Sequence, residues 1–98
     1  MQFVITAYDG EGMLEKRMEV RPAHLANMSQ IKGKVVCAGG LLDEEGKMKG
    51  SVMVMDFPSK ELFDEYLESE PYVKAGVWQK ITVERMNVVL LNGEKYIQ

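Results

Sequence analysis

Residues 34–57 constrain the fold more than any other stretch of this chain. Lys34–Leu42 carries Val35, Val36, Cys37 and Ala38, and Lys49–Phe57 carries Val52, Met53, Val54 and Met55. Between them lies the polar segment Asp43-Glu44-Glu45-Gly46-Lys47. Two β-prone runs joined by so short a turn form an antiparallel hairpin. A lone hairpin is at best marginal in water, so other strands must complete the sheet.

Gln2–Tyr8 supplies one of them. It alternates Phe3, Ile5 and Ala7 with Val4, Thr6 and Tyr8, and ends at Asp9-Gly10. Trp78–Leu91 supplies the other, so long that a bulge or an overhang past the sheet is expected. Between the first strand and the hairpin, residues 9–20 read as a loop or short turn, ending in Arg17-Met18-Glu19-Val20 as either one helical turn or extended chain. A helix follows from Pro22 to about Lys32, with proline as its first residue and Gly33 as its stop. Going round at about 100° per residue, His24, Leu25, Met28 and Ile31 share its apolar face. After the hairpin, Ser59 caps a second amphipathic helix (Leu62, Phe63, Tyr66, Leu67) that Pro71 ends by about Ser69. A connector follows to Gly76. The order is βαββαβ in one α+β domain. This is the ferredoxin-like plan: a four-stranded antiparallel sheet with two helices on one face. Both strand faces are largely apolar, so the uncovered one calls for a partner, most economically a second copy.

Charge narrows the function. The net charge is −3 and the pI about 5.2, which disfavours a phosphate-backbone binder and an anionic membrane surface. An RNA-recognition module shares the βαββαβ order. It needs stacking aromatics on its inner strands, where this chain has Val52, Met53, Val54 and Met55. A single cysteine, Cys37, forms no internal disulfide; it reads as an inert buried thiol in a reducing, cytoplasmic setting. One histidine and one cysteine make no zinc site, and no phosphate-binding glycine motif is present, so neither metal nor cofactor is expected.

Candidate chemistry centres on His24, the sole histidine. One reading is a histidine packed on the sheet and bonded to a backbone carbonyl. The other is a general base, its charged form disfavoured by the apolar stripe and by a first-turn position near the positive helix end. Glu70 is either a solvated residue at a helix end or the carboxylate that orients the imidazole. Arg17 and Arg21 suit an anionic ligand group, or else lie on the surface paired with Glu15 or Glu19. Tyr72 and Trp78 offer aromatic faces or plain core. Gly39-Gly40 in a strand marks a bulge or a close approach to the backbone. Ser51 lacks the glycine elbow of a nucleophile.

Leu14-Glu15-Lys16-Arg17, Arg21-Pro22-Ala23-His24-Leu25, Ala38-Gly39-Gly40, Lys49-Gly50-Ser51 and Pro71-Tyr72-Val73-Lys74-Ala75-Gly76-Val77 resemble, in order and spacing, the YciI-like proteins. The resemblance covers about residues 1–90. It implies a ferredoxin-like fold dimerising as an α/β barrel, similar in plan to muconolactone isomerases and cofactor-independent monooxygenases. It also implies an active-site cleft beside His24, and some relatives are linked to dehydrochlorination of hydroxylated aromatic rings. The chain departs from the family at Glu70, where an aspartate is usual, and at Gly40, where a proline is usual. The expected site pairs His24 with Glu70 as catalytic residues and has Arg17, Arg21, Gly39, Gly40, Ser51 and Tyr72 bind a small-molecule ligand. Such a site would serve a small cofactor-independent lyase or isomerase, or a non-catalytic dimeric binding domain.

Overall fold

The structure is a computed structural model that describes residues 1–97. The chain runs β1 (Gln2–Asp9), α1 (Leu14–Met28), β2 (Lys34–Leu42), β3 (Met48–Asp56), α2 (Lys60–Ser69), α3 (Pro71–Lys74) and β4 (Trp78–Met86), then β5 (Leu90–Leu91) and β6 (Glu94–Lys95). The sheet order is β2-β3-β1-β4, antiparallel throughout. With its helices on one face, this is the expected ferredoxin-like arrangement.

Period-two alternation decides which side of the sheet is core. Phe3, Ile5 and Ala7 sit opposite Met55, Met53 and Ser51, and all six are buried beneath the helices. Phe57, Phe63, Tyr66, Tyr72, Val77 and Trp78 complete that core, with the Phe3 and Phe63 rings stacked at 4.1 Å. Each such side chain contributes roughly 1.5–3 kcal/mol through burial. Gly50 lets β3 approach β1, since a Cβ there would lie 2.4 Å from the Ala7 carbonyl oxygen. On the other face Val4, Val52 and Val54 are only half-buried, and Cys37 is exposed rather than buried as expected.

α1 departs most from expectation. It starts at Leu14, not Pro22, so most of the presumed loop is helix and Pro22 lies inside it. Proline has no N–H to give the Met18 carbonyl, and Pro22 is tolerated on the exposed side, where water can serve that oxygen. His24 therefore sits in the third turn, nearer the C-terminal end, and the dipole argument for a neutral ring does not apply to it. The helix also ends earlier, at Met28. Gly33 is needed for packing, because a Cβ there would meet the Phe57 ring at 2.6 Å.

α2 is capped as expected, with Ser59 Oγ accepting from the Leu62 N–H at 3.3 Å. The connector after it holds the short α3. The long last strand is two pieces: β4 ends at Met86, and a separate β5–β6 hairpin turns at Asn92-Gly93. Both turn residues have positive φ (53° and 77°), the geometry Asn-Gly favours in a two-residue hairpin loop.

Candidate active-site cleft

Two turns of α1 and the start of α3 build the site. Arg17 and His24 are seven positions apart, so they point the same way about 10.5 Å apart along the helix. Both are buried, at 3% and 7% exposure. Each touches the Tyr72 ring: the Arg17 guanidinium carbon lies 4.8 Å from its centroid, and the His24 ring stacks on it at 4.1 Å.

Buried charge demands partners. Arg17 Nη1 donates to both carboxylate oxygens of Asp9, at 3.0 and 3.1 Å, and Nη2 donates to Ser51 Oγ at 2.9 Å. Its partner is thus the acid at the end of β1, not Glu15 or Glu19.

Glu70 closes α2 and opens α3, and Pro71 takes the first helical position after it. Its side chain turns inward instead of into water and has no exposed surface. Oε1 lies 2.6 Å from His24 Nδ1 and accepts the Tyr72 backbone N–H at 3.1 Å. Oε2 accepts the Tyr66 hydroxyl at 2.6 Å. Burial raises the Tyr66 pKa well above its ordinary value, and the Glu70 charge and hydrogen bond add to the rise, so Tyr66 remains a donor.

Between α1 and the β2–β3 surface lies a small open cleft of about 170 Å³. Arg17, Arg21, His24, Gly39, Gly40, Ser51 and Tyr72 all line it, with Leu25, Met28, Ala38, Met48 and Met53 as apolar wall. Glu70 stands behind His24 and does not line it. A Cβ at Gly39 would meet nothing within 4 Å, so glycine there leaves space in the wall rather than relieving a clash.

Three buried polar atoms have no partner among the described residues: Arg17 Nε, the Tyr72 hydroxyl and Trp78 Nε1. All three are donors. Burial raises the Tyr72 pKa; Arg17 and Arg21 pull it down, and Glu70 and Asp9 push it further up, for a net rise. Its hydroxyl is therefore protonated near neutrality. Arg21 is half-exposed and forms no ion pair among the described residues.

Sequence reasoning missed Asp9 and Tyr66. Asp9 read as a turn residue and Tyr66 as one member of an apolar stripe; the fold brings Asp9 to Arg17, whereas Tyr66 stands four residues before Glu70, a helical spacing that was a readable signal. Among the described residues no group of three or more His, Cys, Asp or Glu could hold a metal ion, and no helix is long and apolar enough to cross a membrane.

Comparisons with known proteins agree on a family. The chain is 34% identical over 92 residues to Protein YciI of Escherichia coli O6:H1 (strain CFT073), covering 86% of this chain and 94% of that one. Among solved structures it is similar to the 5-chloro-2-hydroxyhydroquinone dehydrochlorinase TftG of Burkholderia phenoliruptrix AC1100, in complex with 2,5-dihydroxybenzoquinone. The TM-score is 0.79 and the identity 30%, covering 89% of this chain and 94% of that one. An antibiotic biosynthesis monooxygenase shares the fold at TM-score 0.61 and 12% identity, over 91% of this chain and 98% of its own. Residues 1–87 match the YCII-related domain, and the chain belongs to that family.

Proposed function

We propose that the chain is a small enzyme that needs no cofactor and uses His24 as general acid and base on a small anionic or phenolic compound. The His24–Glu70 contact carries this proposal. A carboxylate 2.6 Å from Nδ1 calls for a proton on that nitrogen and leaves Nε2 as a lone-pair acceptor at the cleft. Arg21 adds a positive charge with no ion pair among the described residues, and Arg17 Nε and the Tyr72 hydroxyl are buried donors with no acceptor among them. One base, one cation and several donors between apolar walls suit a flat ligand rich in acceptor oxygens that carries an acidic proton.

The likeness to a dehydrochlorinase at 30% identity puts loss of HX from a hydroxylated ring first among reactions. In such a step His24 moves a proton from a ring hydroxyl to the carbon bearing the halogen. Departure of halide with a second hydroxyl proton then gives the quinone. The sum is loss of HX, and no external oxidant is consumed.

Chloride release from chlorinated hydroquinones tests this. Wild-type protein is expected to turn over, and His24→Ala to lose about 10²–10⁴-fold in rate. Undiminished activity in His24→Ala rules the mechanism out. Saturable binding without turnover would instead favour a binding domain that uses the same cleft.

We also infer that a second copy covers the open sheet face, where Val4, Val52 and Val54 remain half-buried. Sedimentation is expected to give a dimer for the wild type and a monomer for Val54→Lys. A monomeric wild type contradicts this.

A further inference from the structure

We propose that Tyr66 is a positioning residue for His24, acting through Glu70; the inference rests on the acid–base role given above to His24. Tyr66 projects from α2 and does not line the cleft. Its hydroxyl donates to Glu70 Oε2 at 2.6 Å.

Glu70 is fully buried, so its two oxygens depend on protein donors. Oε1 has two, His24 Nδ1 and the Tyr72 N–H, whereas Oε2 has, among the described residues, Tyr66 as its donor. A carboxylate held at one oxygen can turn about its last bond. Held at both, its plane is fixed and Oε1 stays in line with Nδ1. That line decides which ring nitrogen carries the proton, and so whether Nε2 faces the cleft with a lone pair. Tyr66 performs for Glu70 what Glu70 performs for His24.

The hydroxyl is separable from the ring. The Tyr66 ring packs against Phe57 and Phe63, at 5.8 and 6.3 Å between centroids, and phenylalanine keeps those contacts. Sequence periodicity accounts for the ring alone; the hydroxyl is unexplained until Glu70 is placed beside it.

Tyr66→Phe tests the inference by two readouts: ¹⁵N shifts of the single imidazole, and chloride release from chlorinated hydroquinones. The wild type is expected to show one tautomer, protonated at Nδ1. Tyr66→Phe is expected to show a mixture and to lose about tenfold in kcat with KM held, as small misplacements of catalytic groups do. Incorporating 3-fluorotyrosine at position 66 keeps a donor and should restore the single tautomer. It also provides the comparison if the phenylalanine variant folds poorly. Tyr66→Phe with the wild-type tautomer overturns the inference whatever its rate, since the effect would then bypass His24. Full activity in His24→Ala would sink the acid–base role and leave the tautomer comparison intact.

Discussion

Arg17 and His24 occupy positions on α1 that leucine usually holds, on the inward stripe with Val20 and Met28. Each stays buried because a carboxylate waits opposite: Asp9 for Arg17 and Glu70 for His24. Removing one partner strands the other charge. Arg17→Met is therefore expected to destabilise the fold by about 3–5 kcal/mol, and Arg17→Met with Asp9→Leu to recover most of that. Urea unfolding measures both, and a loss below about 1 kcal/mol for the single variant would mean a surface arginine after all. At this scale the sequence pointed to His24 with Glu70 as its carboxylate and to the arginines, but not to Asp9 as the partner of Arg17. Asp9 lies eight residues before Arg17 and Glu70 forty-six after His24, separations that only the folded chain closes. Glu70 carries one methylene more than the family's usual aspartate, and it reaches the ring.

At the scale of elements, the first three strands were plain to read and α1 was not, for one physical reason. β1 and β3 alternate side chains with the period of the pleat; both faces are largely apolar, and the helices take Phe3, Ile5, Ala7, Met53 and Met55 into the core. In α1 the buried positions hold Arg17 and His24 while Leu14, Met18 and Leu25 are exposed, so its first half shows no apolar face toward the core. Pro22, well suited to a helix start, completed the misreading. The proline leaves one carbonyl without its helical partner, so Pro22→Ala is expected to stabilise the protein, by up to about 3 kcal/mol. A thermal melt measures it, and an unchanged or lowered midpoint would show that Pro22 helps hold the Arg17 and His24 stripe in place.

Over the whole molecule, the cleft exists only where three regions meet: the β2–β3 surface, the inward side of α1, and the α2–α3 junction that delivers Glu70 and Tyr72. The tail docks away from it, with the Tyr96 hydroxyl on Asp56 at 3.0 Å and the Val88 N–H on the Gln2 side chain at 2.8 Å. The fold plan was thus readable from strand order. Of the polar chain behind the cleft, from Tyr66 through Glu70 to His24, the pairing of Glu70 with His24 was a candidate in the sequence and the Tyr66 hydroxyl was not, although Tyr66 lies only four residues before Glu70. That chain makes a claim about one nitrogen atom, and the sole histidine makes it directly measurable. ¹⁵N spectra of the imidazole, recorded with and without 2,5-dihydroxybenzoquinone, test it. The account predicts a proton on Nδ1, an unprotonated Nε2, and a ligand-induced shift concentrated at Nε2. A proton on Nε2 in the free protein, or a ring unmoved by saturating ligand, would contradict it.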